Sequence, residues 1–284
     1  MQRMLWAVIG LSFGLGGCEP PKPQSPVGEA DNPNARQISV LAWNVESGGS
    51  DPAVIARQLR EMAPADIYAL SEVSPRTFDQ FALAVGPTFQ SVESETGRAD
   101  RLQLLFDSQR FELIRRVELH EYRGHSLNNG THRSPLMIHL HERATGLDFQ
   151  VMVNHLARGN EQLRNQQAIG LREWARDQTL PTIAVGDFNF DYDFRTESGN
   201  EAFAEFLRDG IWEWVHPIEW IDTNWSDPDG DGLDNYPDSM LDFAFVAGPA
   251  TEWWSACRII VREGDFPDGP EQSDHRPVEL IVKP

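Results

Sequence analysis

The sequence predicts a layered α/β fold of the α+β type, with sheets inside and helices outside. Two observations support this prediction. Short runs rich in β-branched and aromatic residues recur along most of the chain, and segments with apolar residues at helical spacing lie between them. Strands and helices mixed in this order over 284 residues bury their apolar faces by stacking as layers.

The predicted strands are short apolar runs bounded by polar, Gly or Pro residues. They cover residues 38–43, 67–70, 102–106, 136–140, 149–153, 183–185, 243–246 and 278–282.

Three segments are predicted as helices. The first covers residues 51–62, where Asp51 can cap the N terminus and Pro52 occupies the first turn. The second covers residues 159–176 and the third residues 201–208. The second has the clearest helical spacing, given by Leu163, Gln167, Leu171 and Trp174.

The start of the chain is predicted to be a signal peptide, residues 1–17. Arg3 precedes an apolar stretch that is too short to span a bilayer as a helix. The stretch ends in Leu-Gly-Gly-Cys at 15–18, which resembles the lipobox of a bacterial lipoprotein. The resemblance implies cleavage before Cys18 and lipidation of its thiol. An ordinary secretory signal with a chance cysteine is the alternative.

Residues 18–36 are predicted to be a Pro-rich tether, because five prolines and few apolar residues lie between Glu19 and Pro33. We therefore expect an exported protein whose N-terminal lipid anchors it to a bacterial membrane, either in the periplasm or at the cell surface. Cys18 and Cys257 are the only cysteines. With Cys18 acylated, Cys257 is expected to be buried and unpaired.

Polar side chains capable of binding metal or phosphate follow several predicted strands. Asn44 and Glu72 follow the first two, and Asn-His-Leu lies at 154–156. Gly-Asp-Phe-Asn follows at 186–189, and Ser-Asp-His lies near the end at 273–275. Each of the last two motifs alone could be a turn or a surface loop. Their order and their company indicate phosphate-ester chemistry on a divalent metal.

This ordered set of motifs resembles the endonuclease/exonuclease/phosphatase superfamily. The series is completed by a hydrophobic strand that carries Asp242 before an aromatic residue. The resemblance covers roughly residues 37–283, and residues 37–284 are predicted to form one catalytic domain. It implies a four-layer α/β/β/α sandwich of two mainly antiparallel sheets flanked by helices, with the active site at one end of the paired sheets.

The resemblance also implies a role for each site residue. The metal ligands would be Asn44, Glu72 and Asp274, whose oxygens suit Mg²⁺ or Mn²⁺. The catalytic residues would be His155, Asp187, Asn189, Asp242 and His275. The phosphate ligands would be Arg133, Asn189 and His155.

Within this set, Asp187 would orient and deprotonate the attacking water. Asp242 would orient His275 and fix its tautomer. Arg133 could equally be a surface charge. Asp100 is a weaker candidate partner for His155.

An acidic loop with Asp-x-Asp-x-Asp-Gly spacing lies at residues 227–238. Its candidate calcium ligands are Asp227, Asp229, Asp231 and Asp238. A turn-rich acidic loop without an ion is the alternative. If the loop binds Ca²⁺, the ion would be structural and separate from the catalytic metal.

The net charge of −20 disfavours wide electrostatic capture of a polyanion. The predicted function is a metal-dependent phosphoesterase that acts as a monomer on a small ester, a phospholipid head group or nucleic acid. A nuclease that degrades extracellular DNA or RNA is one alternative. A non-catalytic, calcium-stabilised surface lipoprotein is another, although all eight chemically important positions retain suitable side chains.

Overall fold

The computed structural model describes residues 37–128, 132–262, 265 and 271–284. The predicted signal peptide at 1–17, the lipidation site Cys18 and the tether at 18–36 lie outside the described residues. None of the helices in the described part has the length and hydrophobicity that a membrane-spanning helix needs.

The described part contains fourteen strands and four α-helices. The strands are β1 (Ile38–Asn44), β2 (Ile67–Val73), β3 (Phe89–Glu93), β4 (Arg101–Asp107), β5 (Phe111–Glu118), β6 (Glu121–Tyr122), β7 (His125–Ser126), β8 (Leu136–Glu142), β9 (Asp148–His155), β10 (Thr182–Asp193), β11 (Trp212–Trp214), β12 (Ser239–Ala247), β13 (Trp254–Ile259) and β14 (Val278–Lys283). The helices are α1 (Pro52–Glu61), α2 (Phe78–Val85), α3 (Glu161–Arg176) and α4 (Glu201–Leu207).

Twelve of these strands form two six-stranded mixed sheets. The first has the order β13-β14-β1-β2-β4-β3 and the second β11-β12-β10-β9-β8-β5. Each sheet contains one parallel pair, β1 with β2 and β9 with β10, and its other pairs are antiparallel. The prediction of two mainly antiparallel sheets flanked by helices is therefore confirmed.

Strand β1 shows how the layers stack, because all seven of its residues are buried and both of its faces are covered. Ile38, Val40 and Ala42 lie in one core cluster with residues of the second sheet. Leu41 and Trp43 alternate with them and pack in another cluster with residues of α1 and α2. The first sheet thus lies between the second sheet and two helices.

Local sequence explains where the predicted helices begin. Asp51 caps α1 by accepting a hydrogen bond from the Ala53 N–H, and Pro52 lies in the first turn. Asn160 caps α3 through the Leu163 N–H. Cys257 is buried within β13.

Candidate active site

The candidate site lies where the two parallel strand pairs end. In the second sheet, Asp187 of β10 lies opposite His155 of β9. In the first sheet, Asn44 ends β1 and Glu72 lies one residue before the end of β2. Since parallel strands point their carboxyl ends toward the same edge, these four side chains converge from two sheets.

Asn44 connects the sheets by hydrogen bonds. Its Nδ2 donates to Glu72 Oε1 at 3.1 Å and to Asp187 Oδ2 at 3.2 Å. Its Oδ1 accepts from the Glu46 N–H at 3.1 Å. The fully buried amide therefore orients one carboxylate from each sheet.

Glu72, Asp100 and His155 offer ligand atoms that all lie within 4.8 Å of one another. His155 Nε2 is 3.7 Å from Glu72 Oε1, and its Nδ1 is 3.7 Å from Asp100 Oδ1. Glu72 has a φ of 54° at an irregularity in the pairing of β2 with β4. This conformation is uncommon for a residue other than glycine. It occurs at Glu72, which both accepts the hydrogen bond from Asn44 and belongs to the candidate metal site.

Glu46 and Asp274 add two carboxylates to this end of the site. The Asp274 N–H donates to Glu46 Oε2 at 2.9 Å. Burial, followed by the nearby Asp274 and Glu72 charges, raises the pKa of Glu46 to about 7. Burial, with Glu72 and Asp187, also raises the pKa of Asp274. Hard oxygen donors crowded in this way fit a divalent cation such as Mg²⁺, which would offset their repulsion.

Asp187 is held at the centre of the site by the backbone around it. Gly186 has a φ of 121°, and a Cβ added there would lie 2.3 Å from the Asn154 carbonyl oxygen, so only glycine fits. The Asn189 N–H donates to Asp187 Oδ1 at 2.9 Å. Asp187 Oδ2 lies 3.4 Å from His155 Nε2 and 3.9 Å from His275 Nε2. One buried carboxylate therefore faces both histidines.

His275 is oriented by Asp242, which lies opposite Asp187 in the β10–β12 pair. His275 Nδ1 is 2.7 Å from Asp242 Oδ2, and both residues are buried. Burial alone would lower the pKa of His275, but Asp242, Asp274 and Asp187 together raise that pKa well above its ordinary value. The imidazolium form is therefore favoured.

The backbone next to His275 is fixed by β1. The Trp43 indole N–H donates to the His275 carbonyl at 2.8 Å. Ser273 Oγ donates to the Asn44 carbonyl at 2.6 Å and accepts from the His275 N–H at 3.0 Å. The Ser-Asp-His motif thus attaches to the strand that carries Asn44.

Asn189 and Arg133 contact the backbone of His155 and Leu156. Asn189 Nδ2 donates to the Leu156 carbonyl at 3.1 Å. Arg133 Nε donates to the His155 carbonyl at 3.0 Å, and its guanidinium pairs with Asp100. Arg133 is largely buried and positions this segment, so it is not merely a surface charge.

Two further residues were not identified from the sequence. Glu46 follows Asn44 by two positions, and an acid so close to a strand-ending ligand could have indicated it. Arg158 NH1 donates to Asn189 Oδ1 at 3.2 Å, and its guanidinium lies 5.4 Å from the centre of the Tyr236 ring. Arg158 is 42% exposed, which places a cation at the rim of the site. Its closeness to His155 in sequence was the available signal.

The acidic loop brings together three of its four predicted ligands. Asp227, Asp229 and Asp231 offer carboxylate oxygens within 4.8 Å of one another, and Asp238 is not in that group. The Asp227 carboxylate accepts from the Asp231 and Gly232 N–H groups, both at 3.0 Å.

A family model described as the Endonuclease/Exonuclease/phosphatase family matches residues 41–275. The chain belongs to this family. Membership agrees with the fold, and the chain is a hydrolase of the metal-dependent phosphoesterase type. A comparison with curated proteins finds no match.

Solved structures share the fold at low sequence identity. A family member from Bacteroides thetaiotaomicron has 17% identity and a TM-score of 0.64, and the match covers 87% of this chain and 98% of that one. A mannosyl-6-phosphatase from the same organism has 18% identity and a TM-score of 0.63, and the match covers 86% of this chain and 99% of that one. D. rerio TDP2 complexed with a single-strand DNA product has 15% identity and a TM-score of 0.66, and the match covers 87% of this chain and 99% of that one.

Proposed function

We propose that this family member is an exported, membrane-tethered phosphoesterase that hydrolyses phosphate mono- or diester bonds by in-line attack of water. The observation that supports this reaction best is the position of Asp187. Its carboxylate faces His155 and His275 and lies beside the carboxylates of the candidate metal site. A phosphate at this point would meet a base and two imidazoles together.

Each group has a defined task in this proposal. Asp187 orients the water and accepts its proton. His275, held by Asp242, donates a hydrogen bond to a phosphoryl oxygen, where negative charge accumulates. His155 Nε2 faces Asp187, and its Nδ1 faces Asp100. In this proposal His155 transfers a proton to the leaving oxygen.

Glu72 and Asp274, with Asn44 beside them, would hold Mg²⁺ or Mn²⁺. A divalent ion here supplies charge neutralisation for the phosphoryl oxygens. Glu46 belongs to the same acidic group, because its carboxylate accepts from the Asp274 N–H.

The substrate is proposed to be a small or short phosphate ester. The chain's net charge of −20 disfavours wide binding of a polyanion, and one solved relative is named as a mannosyl-6-phosphatase. A nuclease is the second candidate, because another solved relative was crystallised with a single-strand DNA product.

The chemistry is tested with two variants and two matched controls. Asp187→Ala and His275→Ala should each reduce turnover at least ~100-fold. Asp79→Ala, at an exposed position of α2, and His141→Ala, at a partly exposed position of β8, should retain wild-type rates. Circular dichroism would check the fold of all four. Near-normal turnover in either site variant would refute the assigned roles.

The substrate class is tested by assaying plasmid DNA, RNA, sphingomyelin and bis(p-nitrophenyl) phosphate, each with and without EDTA. Hydrolysis confined to the nucleic acids would favour the nuclease. Hydrolysis of sphingomyelin or of the small diester would favour the leading proposal. Absence of metal-dependent turnover on all of them, and on phosphate monoesters such as a hexose monophosphate, would support the non-catalytic alternative.

The anchor is proposed to be a lipid on Cys18, with residues 18–36 as the tether and a monomeric catalytic domain outside the cytoplasm. Cys18→Ala should abolish labelling by radioactive palmitate and release the protein from the membrane fraction. A variant that remains membrane-bound and labelled would exclude lipidation at this thiol.

The acidic loop is proposed to hold a structural Ca²⁺ between Asp227, Asp229 and Asp231. Added Ca²⁺ should raise the melting temperature of the wild-type protein more than that of Asp229→Asn. Equal shifts in the two proteins would exclude the loop as the ion's site.

A further inference from the structure

A cavity of about 520 Å³ lies beside the loop that carries Asp100. This volume is within the range of small-molecule sites. The side chains that line it are mostly cationic or hydrogen-bonding. They include Thr96, Arg98, Arg101, His120, Asn128 and His132.

The cavity has a positive character that contrasts with the strongly acidic chain. Arg98 and Arg101 contribute two guanidinium groups. Among the described residues that line the cavity, Glu95 is the one acid, and its carboxylate pairs with Arg116 NH1 at 3.3 Å. The lining therefore carries two guanidinium groups against one carboxylate, and that carboxylate is paired with a third arginine, a balance that favours an anion.

The loop that forms one wall has a fixed backbone. The Glu118 carboxylate accepts hydrogen bonds from the Glu95 N–H at 2.6 Å and from the Thr96 N–H at 3.1 Å. Gly97 has a φ of 97°, and an added Cβ would lie 2.1 Å from the Asp100 carbonyl oxygen. Arg98 follows with a φ of 55°. Left-handed conformations enforced in this way are often found at ligand sites.

The two arginines of the wall differ in what their guanidinium groups contact. Arg101 Nε donates to the Arg98 carbonyl at 3.0 Å, and its NH1 donates to the Ser94 carbonyl at 3.2 Å. Arg101 therefore stabilises the backbone of the loop through these two hydrogen bonds. Arg98 is exposed, and in the described part of the chain its guanidinium has neither an ion pair nor a hydrogen bond. It is available to a ligand.

The cavity adjoins the reaction centre. Asp100, two residues after Arg98, pairs with Arg133 and lies 3.7 Å from His155 Nδ1. His132 precedes Arg133, and the charges of Arg133, Asp100 and His155 all act on it. The loop that carries Arg98 in the cavity wall thus also carries Asp100, which contacts His155 on the side opposite Asp187.

We propose that this cavity is a subsite for a second phosphate group of the substrate, with Arg98 as its principal ligand. This inference rests on the proposed phosphoesterase function and narrows its substrates to molecules that carry a second phosphate besides the scissile one. Such a phosphate can belong to a bisphosphorylated small molecule or to the next unit of an oligonucleotide.

The test compares two matched substrate pairs. One pair is a nucleoside p-nitrophenyl phosphate with and without a phosphate on its other hydroxyl group. The other is a hexose monophosphate and the corresponding bisphosphate. For at least one pair, the wild-type enzyme should show about tenfold higher kcat/KM for the doubly phosphorylated member, mainly through KM, since a hydrogen bond to a charged group is worth about this factor.

Arg98→Ala should remove most of this preference, and Arg57→Ala, an exposed arginine on α1, should retain it. A preference confined to the nucleoside pair would indicate that the subsite binds the phosphate of an oligonucleotide. A preference confined to the hexose pair would indicate a bisphosphorylated small molecule. A preference in both pairs would indicate that the subsite recognises the phosphate group whatever molecule carries it. Equal kcat/KM within both pairs, or an unchanged preference in Arg98→Ala, would overturn the subsite while leaving the proposed function intact.

Absence of turnover on all four substrates, and on those used to test the proposed function, would instead remove that function. In that case, calorimetric binding of hexose bisphosphate still tests the subsite. The wild-type protein should bind it about tenfold more tightly than Arg98→Ala does, and equal affinities would overturn the proposal.

Discussion

Asp242 is expected to act on the reaction only through His275, and Asp242→Asn tests this dependence. The substitution preserves shape but removes the charge opposite His275 Nδ1, 2.7 Å away. Both residues are buried, with exposures of 3% and 6%, so little water can replace the lost partner. The imidazolium would lose its support and the ring its fixed tautomer.

The expected loss follows from this geometry. A hydrogen bond to a charged group contributes about 1.5–3 kcal/mol, and about 1.4 kcal/mol corresponds to tenfold in rate. Because the pair is buried, we take the upper part of this range and expect kcat to fall about 100-fold in Asp242→Asn. His275→Ala should cost at least as much, since it removes the imidazole itself.

A double-mutant cycle distinguishes action through His275 from an independent effect. In the His275→Ala background, Asp242→Asn should cost less than about threefold, because the group it supports is already absent. The assay is kcat on the best substrate found, with circular dichroism and thermal unfolding as controls for folding. Two full, multiplicative losses would refute the reasoning, and so would a near-normal rate in Asp242→Asn alone.

Three further predictions concern stability and reactivity. Gly186→Ala should lower the free energy of unfolding by more than about 2 kcal/mol. The control Gly146→Ala, at a φ of 75° with open space around an added Cβ, should lower it by about 1 kcal/mol. Equal losses in urea unfolding would contradict the close contact at Gly186. Burial, followed by the nearby charges of Asp274 and Glu72, raises the pKa of Glu46. Because Mg²⁺ would offset the repulsion among these carboxylates, Mg²⁺ added after EDTA treatment should raise the melting temperature of the wild-type protein. Glu72→Gln should lose this response, and a response that persists would exclude Glu72. Burial raises the pKa of Cys257 to about 12, so mass mapping should find this thiol unlabelled by iodoacetamide in the folded protein. The free energy of unfolding should fall as the pH rises above the thiol's ordinary pKa of 9.0, since only the unfolded chain then loses this proton. Labelling at the rate of the urea-unfolded chain would contradict this burial.

The central strands could be predicted because their sequences are continuous apolar runs. Both faces of β1 are covered, so hydrophobicity alone identifies it. The elements missed were α2, β3, β5, β6, β7, β11 and β13. β5 lies at a sheet edge, and seven of its eight residues are exposed or partly exposed, so it has little apolar pattern. α2 begins after Thr77 without a side-chain cap, and β11 has only three residues.

Site residues at strand ends could be found for a similar reason. Asn44, His155 and Asp187 follow apolar runs, and the topology brings those ends together. Glu46 and Arg158 lie in the connections beyond the strands, where distance in sequence does not reveal distance in space. Their contacts depend on where Asp274 and Asn189 are placed by other parts of the chain, which sequence spacing cannot supply.

This difference between strand ends and connections also separates reaction chemistry from substrate choice. Asn44 joins Glu72 to Asp187 across the two sheets, so the positions of the reacting groups are fixed by the packing of the core. Arg98 belongs to a loop whose shape is set by Glu118 and Gly97, and its guanidinium can be exchanged without disturbing that shape. A replacement at Arg98 should therefore alter which phosphate esters bind well, whereas a replacement at Asp187 should reduce turnover of all of them by at least ~100-fold.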